Sequence, residues 1–198
     1  MLRSALSKVA RPVAASLLLL LPIGAGAQPT SKQDAAAACP ACHGPGGNSQ
    51  NPEFPSIAGQ PSLFIENQLV LIREGLRDVP AMKEIMAGMK DDTIVELAKH
   101  YSAQKPVPRT GPVKQDVYSR GEQLAKQNLC GTCHLADFSG QNQVPRLAWQ
   151  QEAFLVHSMK QFRDNPTSGR DTIMAATLRG MSDTDLAQLA HYLANFKR

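Results

Sequence analysis

The chain has 198 residues, 42% of them hydrophobic, and a formal net charge of +4. Three of its 21 basic residues and none of its 17 acidic residues lie in residues 1–27, which leaves 18 basic residues and a net charge of +1 for the rest. A nearly neutral chain argues against nucleic acid as a partner. Beyond residue 27 no apolar run approaches the roughly 20 residues that span a bilayer, so we expect no integral membrane segment there.

Residues 1–27 have the pattern of a secretory signal peptide. Three basic residues are followed by an apolar run over residues 13–23, and the small residues 25–27 form a typical cleavage site. The apolar run is about half as long as a membrane span, which argues against a retained anchor. We therefore expect export and, in a bacterium, a periplasmic location.

The remaining chain is predicted to be all-α, with no convincing pair of strands. Helical spacing of apolar residues and acidic residues at helix starts predict six helices. They cover residues 31–42, 61–73, 91–103, 113–129, 150–163 and 182–196.

A segment rich in proline and glycine divides this series of helices. Residues 106–112 contain three prolines and one glycine, which predicts a short stiff linker. The sequence therefore predicts one domain over residues 28–105 and a second over residues 113–198.

Two copies of one five-residue pattern contain every cysteine of the chain. Cys-x-x-Cys-His occurs at residues 39–43 and again at residues 130–134. This pattern is the attachment site of a c-type haem, in which both cysteines bond to the haem vinyl groups and the histidine binds the iron. A zinc site would not need a histidine after each cysteine pair, and a thioredoxin-like redox motif would occur once, in a βαβ pattern that is absent here. Structural disulfides are a further but weaker interpretation of the cysteines. We therefore predict two covalently attached haem c groups, held by Cys39, Cys42, Cys130 and Cys133, with His43 and His134 as iron ligands.

The two motifs belong to an internal repeat. The motifs align at an offset of 91 residues, while Pro55 and Phe64 align with Pro145 and Phe154 at an offset of 90. Each repeat has about eighty residues, so its own core is thin, and a buried haem would supply the missing apolar surface.

The second axial ligand of each iron decides between electron transfer and catalysis. Methionine sulfur raises the reduction potential and leaves no open position for a substrate. Met82 and Met174 match between the repeats at an offset of 92, lie in segments with little helical periodicity, and are the favoured ligands. Met89 and Met181 match as well, but each directly precedes a helix start, where an apolar residue usually packs beneath the helix.

Several other conspicuous residues have no counterpart in the other repeat. We expect His100, His157 and His191 to be ordinary surface or core histidines. Trp149 stands where the first repeat has Gly59, and we expect it to pack rather than to conduct electrons.

With these features the chain resembles the dihaem cytochromes c of the cytochrome c4 type over essentially its whole predicted mature length. The resemblance rests on both haem motifs, on residues 54–60 and 144–150, and on a methionine eight residues before each closing helix. It implies two tandem class I cytochrome c domains, related by a pseudo-twofold axis, each wrapped around one haem with His/Met ligation. Trp149 departs from the family's glycine, and His100 stands where an aromatic residue is usual.

The resemblance also implies how each iron-binding histidine is oriented. The carbonyls of Pro55 and Pro145 would accept hydrogen bonds from Nδ1 of His43 and His134. Such contacts fix the ring and tune the metal.

The expected function is one-electron transfer by a protein that is not an enzyme and has no catalytic residues. Its partners would be redox proteins, namely a respiratory donor complex, a terminal oxidase or a flavoprotein, and any membrane association would be through such a partner. The alternative is an electron-transfer subunit of a sulfide- or thiosulfate-oxidising complex, which would use the same haem sites. A dihaem peroxidase needs an open iron, and the matched Met82 and Met174 argue against it.

Overall fold

The computed structural model describes residues 37–165 and 170–197. Within these ranges the regular structure is helical, and β-pairing is limited to one isolated bridge between Gln141 and Val144. No helix in the described ranges is both long enough and apolar enough to cross a membrane. The predicted signal peptide and the start of the helix predicted at residues 31–42 lie outside the described residues.

In the described part of the first repeat, from residue 37 onward, there are four named helices and one short 3-10 helix. They are α1 (Pro40–His43), the 3-10 helix (Pro45–Gly47), α2 (Ser62–Arg73), α3 (Pro80–Met86) and α4 (Asp91–Ser102). Helix α2 packs against both α3 and α4. Ile65, Leu97 and Tyr101 form the centre of the core between α2 and α4.

Over residues 113–165 and 170–197 the second repeat contains five helices, and its apolar core is larger than that of the first. The helices are α5 (Gln115–Gln127), α6 (Cys130–His134), α7 (Glu152–Asp164), α8 (Thr172–Leu178) and α9 (Asp183–Ala194). Helix α9 packs across α5 and α7, and α8 packs against α7. Helices α2 and α7 begin 90 residues apart, while α3 and α8, like α4 and α9, begin 92 residues apart, which confirms the internal repeat.

The observed helices agree with most of the predicted ones. The helices predicted at residues 61–73, 91–103, 113–129, 150–163 and 182–196 each begin and end within two residues of an observed helix.

Met82 and Met174 lie in two short helices, α3 and α8, which are not among the six predicted from helical periodicity. The signal for these helices lies at their ends. Pro80 occupies the first turn of α3, and the Asp171 carboxylate accepts a hydrogen bond from the Met174 N–H at 2.9 Å. A seven-residue helix is only two turns long, too short for its apolar spacing to be recognised.

Helices α5 and α9 cross at Gly121. A Cβ atom at this position would lie 2.2 Å from the Gln188 carbonyl oxygen and 2.6 Å from Tyr192 Cβ, so only glycine permits this approach. The Tyr192 ring then contacts the rings of Tyr118 and Phe138 edge to face, with centroids 5.0 and 5.7 Å away. This crossing closes the core of the second repeat directly before its haem motif.

Two matched glutamines, Gln60 and Gln150, connect the repeats, and we call them the interface glutamines. Gln150 Oε1 accepts from the Ser56 N–H at 2.7 Å, and Gln150 Nε2 donates to the Ser56 carbonyl at 2.9 Å. Gln60 Oε1 accepts from the Arg146 N–H at 2.8 Å, and Gln60 Nε2 donates to the Arg146 carbonyl at 3.0 Å. Because Ser56 matches Arg146 and Gln60 matches Gln150, each at an offset of 90, the contact has the pseudo-twofold symmetry expected from the family resemblance.

Gly59 and Trp149 have the same left-handed backbone conformation, with φ of 62° at both. At Gly59 a Cβ atom would lie 2.8 Å from Pro106 Cδ, because the chain that leaves the first repeat crosses directly over it. At Trp149 the indole takes the space instead, and its Nε1 donates to the Phe196 carbonyl at 2.8 Å. The tryptophan is therefore a packing residue, as expected.

Candidate functional site

Each Cys-x-x-Cys-His motif forms a single helical turn that ends in a buried histidine. In the second repeat a left-handed residue, Leu129 with φ of 52°, separates α5 from the turn of α6. The spacing of three residues places both cysteines of a motif on one side of the turn. Cys42 and Cys133 are exposed, Cys39 and Cys130 are half-buried, and no disulfide joins the four.

The environment of Cys39 and Cys130 is that of thiols rather than of thiolate metal ligands. Burial raises the pKa of Cys39 and of Cys130, which favours the protonated thiol at neutral pH. Within residues 37–165 and 170–197, no three His, Cys, Asp or Glu side chains come together in a way that could hold a metal ion.

The two motif histidines are held in the same way. Nδ1 of His43 lies 2.8 Å from the Pro55 carbonyl oxygen, and Nδ1 of His134 lies 2.8 Å from the Pro145 carbonyl oxygen. These contacts confirm the hydrogen bonds that the family resemblance implied. Because a carbonyl can only accept, Nδ1 carries the proton, and the neutral ring keeps its lone pair on Nε2.

The electrostatics of both histidines favour this neutral form. Burial lowers the pKa of His43 and of His134, although the hydrogen bond to the proline carbonyl partly opposes the shift. The two histidine residues are 8% and 4% exposed. A neutral, buried imidazole with Nε2 unprotonated is the form that binds a metal ion.

His134 Nε2 is the one buried side-chain nitrogen or oxygen atom without a hydrogen-bond partner among the residues that the structure describes. Buried polar atoms are nearly always satisfied, so a lone pair directed into the core of the second repeat requires a ligand. Together with the two adjacent thiols, this donor set fits a covalently attached haem with iron bound to the histidine.

Met82 and Met174 are half-buried and lie in apolar surroundings. Met174 packs against the same core cluster as Cys130 in the second repeat. In the first repeat, Cys39 packs against the core cluster between α2 and α4, while Met82 packs against a separate cluster. Met89 packs against both clusters. The thioether side chains are therefore at the edge of each core, and their role as iron ligands stays a prediction.

Comparison with known proteins identifies the family. The family model for cytochrome c matches residues 118–197. A cytochrome c4 from Thiocapsa roseopersicina is 30% identical over 169 residues, which are 78% of this chain and 85% of the relative. The chain belongs to the cytochrome c4 family.

A solved cytochrome c4 structure agrees with this assignment. The crystal structure of reduced recombinant cytochrome c4 from Pseudomonas stutzeri has a TM-score of 0.76 and 27% identity, over 83% of this chain and 96% of that chain. This member of the cytochrome c4 family therefore consists of two tandem class I cytochrome c domains with covalently bound haem c, and it is a dihaem electron-transfer protein.

A further relative bears on the partner. A thiosulfate dehydrogenase electron acceptor from Thiomonas intermedia is 29% identical over 171 residues, which are 80% of this chain and 78% of the relative.

The competing methionines of this family member, Met89 and Met181, have a packing role. Met89 and Met181 are partly buried against the core clusters. Their carbonyls accept hydrogen bonds from Nη1 of Arg73 and Arg163, each at 2.8 Å, and each arginine also binds an aspartate in the first turn of the closing helix. The main chain at both methionines is thereby fixed where a helix begins.

Sequence reasoning missed the arginines and the interface glutamines. All four could have been found from the repeat, because Arg73 matches Arg163 and Gln60 matches Gln150 at an offset of 90. Polar residues that match across a duplication and are then at least partly buried point to a shared structural contact.

The unmatched histidines are surface and core residues, as expected. His100 and His157 are exposed. His191 is buried, with Nδ1 at 3.0 Å from a Glu152 carboxylate oxygen and Nε2 accepting from the Lys114 N–H at 3.1 Å. Both ring nitrogens of His191 thus form polar contacts within the second domain.

Proposed function

We propose that this protein is a periplasmic one-electron carrier in which His43 and Met82 bind one haem iron and His134 and Met174 bind the other. The haem iron supplies the chemistry by cycling between its ferric and ferrous states. The observation that carries the proposal is the pair of buried neutral histidines, each fixed by a proline carbonyl. The haem groups would be attached through Cys39, Cys42, Cys130 and Cys133.

The protein's contribution is to keep the iron ligands in place. The Nδ1–H bond to the proline carbonyl fixes the tautomer and the ring orientation, and it makes the imidazole a stronger donor to iron. Burial excludes water from the histidine side. Two protein ligands on each iron leave no position for a substrate, so we propose that the protein is not an enzyme in itself and, in particular, not a peroxidase.

The sequence pattern of residues 1–27 and the covalent attachment of haem support a periplasmic location. We assign residues 28–105 and 113–198 to the two domains and residues 106–112 to the linker. Periplasmic fractionation tests the location, and N-terminal sequencing of the purified protein tests the signal peptide. The purified protein should begin at Gln28.

The axial ligands are tested by four matched variants of the ferric holoprotein. Met82→Ala and Met174→Ala should each remove one of two contributions to the weak near-infrared sulfur-to-iron band. The controls Met89→Ala and Met181→Ala should retain both contributions. Loss of the band in a control, together with its retention in Met82→Ala or Met174→Ala, would overturn the ligand assignment.

A redox titration with optical detection tests the function itself. Two high-potential one-electron transitions are expected from two His/Met sites. A low-potential transition would indicate a second histidine ligand, and peroxide turnover at an enzymatic rate would contradict the carrier role.

Two classes of partner are compatible with these sites. We propose a terminal oxidase or another respiratory redox protein as the electron acceptor. The likeness to the Thiomonas intermedia protein favours, as a second candidate, electron transfer from a thiosulfate-oxidising enzyme. Stopped-flow oxidation by oxidase-containing membranes, compared with reduction by thiosulfate dehydrogenase and thiosulfate, separates these roles, and co-purification with such an enzyme would favour the subunit role.

A further inference from the structure

We propose that each interface glutamine positions the iron-binding histidine of the opposite domain. Gln150 would act on His43, and Gln60 would act on His134. The inference rests on the proposed role of these two histidines as axial ligands.

The first link is a single peptide group between the histidine and the glutamine. The Pro55 carbonyl that accepts from His43 Nδ1 belongs to the same planar peptide group as the Ser56 N–H. That N–H donates to Gln150 Oε1 at 2.7 Å. A continuous hydrogen-bonded path therefore leads from the His43 ring, through one rigid peptide group, to a side chain of the second domain.

The reverse path exists in the second domain. The Pro145 carbonyl accepts from His134 Nδ1 at 2.8 Å, and the N–H of the same peptide group, at Arg146, donates to Gln60 Oε1 at 2.8 Å. The two paths match residue for residue across the repeat. An incidental contact at the interface would not be expected to reproduce both ends of the path.

Each glutamine also binds the following peptide group, so Ser56 and Arg146 are held on both sides. Each amide forms a second bond, from Nε2 to the carbonyl of the same residue, Ser56 or Arg146, at 2.9 and 3.0 Å. Gln60 and Gln150 are 4% and 2% exposed, so water has little access to replace them. The peptide plane that sets the direction of each histidine bond is thus held at its far side by the other domain.

The sign of the effect on the iron follows from the polarity of the path. An acceptor at the peptide N–H polarises the carbonyl of that group and makes it a better acceptor for the histidine N–H. The imidazole then donates more strongly to iron, which favours the ferric state. Loss of a glutamine should therefore raise the reduction potential of the haem in the opposite domain.

The experiment compares Gln150→Met with Gln60→Met in the dihaem holoprotein. Methionine keeps the volume but cannot make either hydrogen bond. Haem methyl ¹H resonances of the ferric protein, assigned to each domain by their Overhauser contacts with residues of that domain, and a spectroelectrochemical titration report on the two haems separately.

Gln150→Met should shift the resonances of the first-domain haem more than those of the second and should raise the first-domain potential. Gln60→Met should do the reverse. Larger changes at the haem of the substituted domain, or equal changes at both haems, would overturn the inference.

Conservative variants keep the test valid where a methionine variant yields no holoprotein. A buried Glu at 150 or 60 is protonated, because burial raises its pKa, and it can still accept from the N–H and donate to the carbonyl. Gln150→Glu and Gln60→Glu should therefore shift the opposite-domain haem in the same pattern but less.

Failure of the proposed function looks different from failure of this inference. If His43 or His134 were not an iron ligand, its ring protons would be missing from the hyperfine-shifted signals of the wild-type protein. If those signals are present but neither glutamine variant changes the haem of the opposite domain more than its own, only the inference is refuted.

Discussion

Substitution of Gly121 by alanine tests the close crossing of helices α5 and α9. The new methyl group would lie 2.2 Å from the Gln188 carbonyl oxygen and 2.6 Å from Tyr192 Cβ. Favourable contact begins near 3.5 Å, so α5 and α9 would have to separate by about 1 Å. Because the Gln188 atom is part of the main chain, no side-chain rotation can relieve the overlap.

The expected magnitude combines two opposing effects. Overpacking of a core typically costs about 1–3 kcal/mol, and the upper end applies here because a backbone must move. Alanine is a better helix former than glycine by about 1 kcal/mol, which offsets part of that loss. We expect the free energy of unfolding of the Gly121→Ala holoprotein to fall by about 2 kcal/mol.

The assay is guanidinium chloride unfolding of the ferric holoprotein, followed by far-ultraviolet circular dichroism. Gly131→Ala is the matched control, because Gly131 is also helical but a Cβ atom there would lie 3.6 Å from its nearest neighbour, Ala136 Cα. The control should be as stable as the wild type or slightly more stable. A Gly121→Ala protein of unchanged stability, or a control that is equally destabilised, would refute this reasoning.

Three further predictions concern the interface and the second domain. Arg146→Met removes guanidinium bonds to the carbonyls of Ser56 (3.3 Å) and Ala58 (3.2 Å) across the interface. Chemical denaturation should therefore show that the free energy of unfolding falls by about 2–3 kcal/mol. An unchanged unfolding midpoint would contradict this prediction. Trp149→Gly and Trp149→Ala lose the same indole, but glycine adopts φ of 62° without strain, so the glycine variant should be more stable than the alanine variant by about 1 kcal/mol. Burial raises the pKa of Tyr192 from 10.0 to about 12. As the pH rises, the Tyr192 hydroxyl therefore loses its proton in the unfolded chain before it does so in the folded protein. The free energy of unfolding should fall as pH rises from 10.0 to about 12. Tyr192→Phe should flatten that fall, and an equally steep profile in the variant would exclude Tyr192 as its source.

The haem motifs and the long helices could be predicted because their signals are local. A Cys-x-x-Cys-His turn needs five consecutive residues, and a twelve-residue helix repeats its apolar spacing three times, as α2 and α9 do. The hydrogen bonds from His43 and His134 to proline carbonyls were expected only through the family resemblance, because they join residues 12 and 11 positions apart.

The short helices and the interface were not predictable in the same way. The helices α3 and α8 depend on end chemistry at Pro80 and Asp171 rather than on periodicity. The bonds of the interface glutamines join residues 86 or 94 positions apart, and a glutamine alone carries no sign of its distant partner. Only the match between Gln60 and Gln150 across the duplication distinguishes them from surface glutamines.

The interface between the domains also bears on how a two-haem chain can arise. In a contact where Gln60 binds the Arg146 main chain and Gln150 binds the Ser56 main chain, both partners present the same face. Such an isologous contact is available to two identical copies of a one-haem unit, and its main-chain bonds do not depend on which side chain follows the proline. Fusion of two gene copies then raises only the effective concentration of one unit at the other through the linker. The residues of the contact surface do not have to change. The buried Arg146 opposite Ser56 is the kind of asymmetry that becomes possible only after the two copies are encoded separately.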